Sequence, residues 1–395
     1  MLGLATALNS GSLKKKSVLT NKFSAELDGT GDYIDVSTLS SDLNKVAGTI
    51  SMWIRVQATA SNESFFNCSA GTSTDNKIAL IYLTSGAKFQ AIYTSSGTAV
   101  VVDHDITADD LTGLGWFHLA MTYNTSTPLI QLFLNGTRVG QNTSSITAIS
   151  DDVAIDRIRL GSNSNADNTY HYGNIDEFIY IAGKDLTETE MLLLYNNGKP
   201  DDIGDLPSAI YSAIKCWLRF GDGQIDGNAD QTSVIFDEKN STLGSNVINN
   251  GDFNGNTGSW NTTNAVYQEG SGNGEVKLTK PSSGNSVIYQ TGLSFQANQI
   301  LRYKFKFVSF TGSPFIRIDG FSGSNPLNTS TSFAASGGDV DTYIKTDRAG
   351  TGVFLYIVGG SVGDTVVIDD VSVQIVQGNP GFCVADATVG HSNVP

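Results

Sequence analysis

The stretch "GNIDEFIYIAGKDLTETEMLLLYNNG", Gly173 to Gly198, holds the two signals that decide the fold. Its first half is a run of Ile, Phe and Tyr around the acidic pair Asp176-Glu177, which reads as a strand. Its second half reads as a helix start. Thr187 can cap a helix whose third residue, Glu190, reaches back to it, and Leu186 and Met191 are spaced as a hydrophobic staple. Gly198 supplies a left-handed stop before Pro200. One short helix is therefore expected, in a chain that otherwise alternates.

Working outward, "KFSAELDGTGDYIDV" from Lys22 gives a strand, a Gly-Asp turn and a second strand. In "GTISMWIRVQA", Ile50, Met52, Ile54 and Val56 alternate with Ser51, Trp53, Arg55 and Gln57, and bulk on both faces suits a strand inside a two-sheet sandwich. "NKIALIYLT", "KFQAIYTS", "TAVVVDH", "GWFHLAMTYN", "LIQLFLNGTRVG" and "DRIRLGS" follow at regular spacing. Asn135-Gly136 between two apolar runs is a hairpin signal, since a type I′ turn needs positive φ at both central residues. Many short strands joined by turns predict an antiparallel sandwich.

The 395 residues exceed one ordinary core, and two domains are expected. With 39% hydrophobic residues, 42 Gly and only 8 Pro, the chain can build cores and is neither collagen-like nor a disordered polymer. Its net charge of −15 repels a phosphate backbone, so nucleic acid is not an expected partner. The one basic run is Lys14, Lys15 and Lys16, in an arm (1–20) without sustained period. It is either a solvated segment or an anchoring contact. The start "MLGLATALNSGSLKKKS" places its charges after a short apolar patch, the reverse of a secretory signal. We expect either a processed precursor given a new Met or delivery without such a signal. No apolar run approaches the roughly 18 residues of a membrane span, so no membrane insertion is expected. Cys68, Cys216 and Cys383 are too scattered for a disulfide scaffold or a zinc site, and burial is expected for them.

The first sandwich is assigned residues 21–200. A connecting region, 201–245, is too apolar for a free tether: Ile210, Ile214, Trp217, Leu218 and Phe220 are expected to pack between domains. A second strand-rich block, 246–377, runs from "EVKLTK" through "LRYKFKFVSF" to "TVVIDDVSVQIV", followed by a tail, 378–395. The fold class is thus all-β: two antiparallel β-sandwich (jelly-roll) domains, one short helix closing the first.

At "GTISMWIRV", "GWFHLAMTYN", "IQLFLNGTRVG" and "GNIDEFIYIAGKDLTETEMLLLYNNG", residues 20–200 resemble a laminin-G-like, concanavalin A-like jelly-roll, whose closing strand opens with G-x-I-D-E and leads into a single short helix. The second block resembles carbohydrate-binding modules that begin with a "NGDFE…W" strand and end with "IDDVS", here "NNGDFNGNTGSW" and "VVIDDVSV". Asn254 stands where that family often has a calcium-holding Glu. "CWLRFGDG" and "VIFDEKNSTLGSN" look like linkers between laminin-G-like units in virion proteins of tailed phages.

Glycoside hydrolysis needs two carboxylates roughly 5 to 10 Å apart. Asp176 and Glu177 are adjacent, so in a regular strand they face opposite ways, and no E-x-D-x-E triple is present. The four histidines form no metalloprotease or triad pattern. Calcium could be held structurally by backbone carbonyls together with Asp252 and Asp369 in the second domain, or by Asp28 and Asp32 around a Gly-rich turn in the first. "DGQIDGNADQTSVIFD" mimics an EF-hand loop with Asp226, Asn228, Asp230 and Asp237 but lacks its Gly, its Glu and its helices. Sugar binding would use exposed rings with polar neighbours. The candidates are Trp260, Tyr267 and Tyr289, and Tyr170, His171 and Tyr172 in an Asn-rich loop.

The expectation is a non-enzymatic virion surface protein, a phage capsid decoration or head-fibre protein or a tail-associated one. Its partners would be major capsid or other virion proteins and cell-surface glycans, met through arrayed or homo-oligomeric copies. A secreted bacterial polysaccharide-binding protein, or the accessory part of a glycoside hydrolase, is the alternative.

Overall fold

The structure is a computed structural model that describes residues 21–58, 61–166, 168–222, 234–269, 274–318, 326–327, 331–335, 338–384, 387–391 and 394–395. The arm with Lys14, Lys15 and Lys16, and most of the EF-hand-like loop, lie outside the described residues. The fold is all-β: four antiparallel sheets, paired face to face into two sandwiches.

In the first sandwich one sheet runs Thr137–Asn142, Leu129–Leu134, Trp116–Asn124, Ala47–Val56, Tyr172–Ala182, Phe23–Asp28 and Thr388–His391, and Ile214–Leu218 also pairs with Tyr172–Ala182. The facing sheet runs Val234–Ile235, Gly381–Val384, Tyr33–Asp35, Arg157–Leu160, Glu63–Ser69, Lys77–Leu83, Lys88–Ser95 and Thr98–Asp105. Ile50, Met52 and Ile54 enter the core between them with Phe66, Leu80, Leu119 and Phe178, while Trp53 is buried on the opposite face. Period-two alternation with both faces covered explains why that strand carries bulk at every position.

The hairpin turn at Asn135 and Gly136 has φ of 50° and 77°, as the type I′ expectation requires. Helix Glu188–Tyr195 carries the full capping box: Thr187 Oγ1 accepts from Glu190 N at 3.3 Å, and Glu190 Oε2 accepts from Thr187 N at 3.0 Å. Its left-handed exit begins at Asn196 (φ 42°), two residues before the expected Gly198, because Asn tolerates that conformation. Two further helices, Ala108–Gly113 and Ser208–Ala213, are only six residues each, too short to show a helical period.

The second sandwich sets the sheet Ala265–Glu269, Gly274–Thr279, Thr365–Gln377, Ile300–Thr311, Gly338–Lys345, joined by Thr242–Asn246, against Asn261–Thr263, Val287–Phe295, Gly350–Gly359, Pro314–Ile318 and Thr331–Ala334. Leu278, Ile288, Phe305, Leu355 and Ile368 fill its core.

Two features depart from expectation. Ile210, Ile214 and Trp217 do not pack between the sandwiches. They cover the outer face of the first, against Phe133, Ile179 and Met191, while Leu218 and Phe220 join its core. A strand that adds to an existing sheet satisfies its backbone there, which an inter-domain linker could not do. The contact between sandwiches is made by Val234 and Phe236 with Ile300, Val376, Tyr343 and Phe382, and by an ion pair of Lys345 with Asp35. The residues expected as a C-terminal tail return to the first sandwich, with Gly381–Val384 entering one sheet and Thr388–His391 extending the other.

Candidate functional site

Asp176 and Glu177 do not face opposite ways. Asp176 pairs with Trp53 and Ile179 with Ser51, so two residues, Glu177 and Phe178, stand opposite Met52 alone. This β-bulge takes Glu177 to a φ of 49°. Ile175 and Phe178 both point into the core, and the bulge therefore leaves both carboxyl groups on the outer face. Both are buried. Glu177 Oε2 accepts from Trp217 Nε1 at 2.5 Å and Oε1 from Arg219 Nε at 3.1 Å. Asp176 accepts from Asn21 Nδ2 at 3.0 Å and from Glu177 N at 2.8 Å. Burial pushes the Asp176 carboxyl well above its ordinary range, and Glu177 beside it adds to the rise. Burial also pushes Glu177 up to about 7, against the pull of Arg219.

Glu177 shares a cavity of ≈ 20 Å³ with Ser51, Trp53 and His118. Such a space holds about one water and no sugar ring. His118 Nε2 lies 2.7 Å from Ser51 Oγ, and burial drives its pKa down to about 3, so the ring is neutral. Sequence reasoning missed this Ser-His contact, since only the register of Ala47–Val56 against Trp116–Asn124 brings the two together.

The Asn-rich loop folds as a small hairpin closed by a Ser162–Tyr170 bridge and by Asn163 N donating to Thr169 O at 3.0 Å. Its Tyr-His-Tyr trio is split by the alternation of extended backbone. His171 is buried, contrary to a role in stacking on ligand: Nδ1 lies 2.6 Å from Glu63 Oε2, Nε2 lies 3.3 Å from Asn174 O, and the ring meets Phe65 edge-on. Ser164 Oγ donates to Asn67 Oδ1 at 2.6 Å and pins the hairpin to the sheet. Tyr172 is 42% exposed and Tyr170 half-buried. Asn163, Asn165 and Asn168 belong to the hairpin that ends at Tyr170.

In the second sandwich Trp260 is core: it is 7% exposed, packs against Phe253 and donates from Nε1 to Asn250 O at 2.9 Å. A buried indole needs an acceptor, and that carbonyl removes it from ligand contact. Tyr267 is half-buried on the edge strand Ala265–Glu269. Tyr289 heads an outer-face row that the sequence did not reveal. It stacks on Phe354 (5.1 Å, 12°), Phe354 stacks on Tyr356 (6.4 Å, 14°), and the Arg317 guanidinium lies 5.5 Å from the Tyr356 ring. Cross-strand pairing of Tyr289 with Phe354 and of Arg317 with Tyr356 creates the row.

Three of the four carboxylates considered for calcium accept backbone N–H groups close by in sequence. Asp28 Oδ1 accepts from Thr30 N at 2.6 Å and Asp32 Oδ2 from Asp28 N at 3.1 Å, so both tie the turn. Asp252 is exposed, and Asp369 Oδ1 accepts from Asp370 N at 2.7 Å. Burial raises the Asp369 pKa, with Asp370 and Glu275 adding to it. Among the described residues no three His, Cys, Asp or Glu side chains come together as a metal site.

Residues 28–191 match the laminin-G family model described as "Concanavalin A-like lectin/glucanases superfamily", which bears out the resemblance read in the first sandwich. Among solved structures, the chain is similar to the CBM40 of a Ruminococcus gnavus IT-sialidase bound to α2,3 sialyllactose (15% identity, TM-score 0.36, covering 43% of this chain and 96% of that one). It is also similar to a SAP-like pentraxin from Limulus polyphemus (11%, TM-score 0.34, 47% and 88%). A putative carbohydrate binding protein from Bacteroides ovatus gives 15%, TM-score 0.36, 54% and 55%. No curated protein sequence matches the chain.

Proposed function

We propose that this chain binds glycans without cleaving them, through the tyrosine pair Tyr170 and Tyr172 on the first sandwich, with Tyr289 and Tyr267 as secondary contacts on the second. The observation that carries the reading is the pinned hairpin. His171 and Glu63 fix the loop from beneath, and Tyr172 stays open to solvent within a lectin-type sandwich. A ring held rigid beforehand costs little ordering when a sugar stacks on it. Asp176 and Glu177, the acidic pair of the closing strand, are engaged by Trp217, Arg219 and Asn21 beside a cavity of ≈ 20 Å³. That supports binding over hydrolysis.

The setting we propose is a virion surface, with capsid or other virion proteins as neighbours and the acidic sandwiches projecting toward cell-surface glycans. The likeness of "CWLRFGDG" to linkers in tailed-phage virion proteins supports it. A single weak site of millimolar affinity is worth only about 4 kcal/mol, and arrayed copies raise the effective strength. A glycan array probed with the purified chain tests the binding. Signal abolished by Tyr172→Ala at unchanged melting temperature is expected, and turnover of a bound polysaccharide would overturn the non-catalytic reading. Detection in purified virions supports the setting; presence solely in a bacterial secreted fraction overturns it.

A further inference from the structure

Beside helix Glu188–Tyr195 runs a groove of ≈ 450 Å³ whose wall includes Leu192, Leu193 and Leu206 and whose rim carries Asp201, Asp202 and Asp205. Leu192 and Leu193 are 48% and 42% exposed, and among the described residues the groove's charged lining is acidic. Apolar side chains beside an acidic rim fit an occupant that brings both leucines and positive charge. A second copy of the same face fails on charge, since its aspartates would meet these.

The chain itself has one basic run, Lys14, Lys15 and Lys16, and by sequence it follows Leu2, Leu4, Leu8 and Leu13. The described chain begins next to the groove. Asn21 donates to Asp176, and the adjoining Glu177 lines a cavity that shares Leu193, Asp201, Asp202 and Leu206 with the groove. Four residues, and so five Cα–Cα steps, link Lys16 to Asn21, a reach of at most roughly 18 Å. We propose that the groove is the docking site for residues 2–16 of the same chain, leucines on the apolar wall and lysines on the aspartate rim. This does not depend on the glycan-binding reading.

The test uses the full chain with one cysteine in the segment, Ser12→Cys, and one at the groove, Ser208→Cys. The native Cys68, Cys216 and Cys383 are buried and stay out of the reaction. Mild oxidation should close an intrachain disulfide that a control pair, Ser12→Cys with Ser283→Cys, does not form. Asp205→Lys, or reversal of Lys14, Lys15 and Lys16 to Glu, should each lower its yield about fivefold, the scale of a few exposed charge pairs. Combining the two reversals should restore it. Leu193→Ser should lower the yield without a charge change. A yield indifferent to these reversals, equality with the control pair, or a product joining two copies would each overturn the proposal.

Discussion

Replacing Glu177 by Gln separates two physical accounts of the buried acid. If burial governs, Glu177 binds a proton more tightly folded than unfolded, with its pKa raised from 4.5 to about 7. An acid raised in this way gives its full stabilisation below about pH 4.5 and loses it as pH climbs through 7. The gap, at roughly 1.4 kcal/mol per pH unit, amounts to about 3 kcal/mol. Gln does not titrate. At pH 5 the variant should be less stable than the parent by about 1 kcal/mol, because one carbonyl oxygen must serve the Trp217 and Arg219 donors that two carboxyl oxygens served. Between pH 5 and 8 the difference should move about 3 kcal/mol in the variant's favour. Urea unfolding at both pH values, followed by tryptophan fluorescence of the first sandwich's transition, measures it. A difference that stays constant, or that turns further against Gln as pH rises, would refute the reasoning and mean that the ionised Glu177–Arg219 pair outweighs burial.

Three further outcomes follow from the geometry. His171→Ala should cost the first sandwich about 3 kcal/mol or more in denaturant unfolding, since it strands the buried Glu63 carboxyl without its partner; Tyr172→Ala should leave unfolding unchanged within about 0.5 kcal/mol. Trp260→Ala should lower the stability of the second sandwich by about 3 to 5 kcal/mol, with glycan binding by the first sandwich intact on the array. Gly173→Ala would place a Cβ 1.9 Å from the Arg55 carbonyl oxygen, on the pairing between Ala47–Val56 and Tyr172–Ala182. Its soluble yield and melting temperature should both fall, where Gly113→Ala, with open space around the added atom and no positive φ, should not collapse the fold.

The alternation from Lys22 onward, the Asn135-Gly136 turn and the Thr187 cap were legible because each is a local pattern whose chemistry lies within a few residues. What stayed hidden depends on register or on distant pairing. The bulge at Glu177 is one extra residue in an otherwise regular strand, and no composition marks it; it turns two carboxylates to one face and makes the opposite-face inference fail. Trp260 and His171 look alike in sequence, aromatic groups in polar surroundings, yet each is buried because a partner far along the chain or across a turn accepts or supplies its hydrogen bond. The aromatic row at Tyr289 is spread over two strands, with Arg317 added from a third.

That contrast bears on function. A binding loop can be guessed from polar composition, but whether its rings serve ligand or core is decided by which side of an extended segment meets the sheet. In "TYHY" the ladder position of Tyr172 opposite Asp28 fixes the phase: it sends Tyr172 outward and His171 onto Glu63. Shifting that register by one residue would bury Tyr172 and expose His171. The glycan reading thus rests on one strand pairing, and deleting a residue between Ser162 and Tyr170, which leaves the strand itself intact, should spare the fold while loosening the Tyr170 side. Retained array binding after that deletion would place the contact at Tyr172 alone, and loss of binding would show that both rings are needed in their present phase.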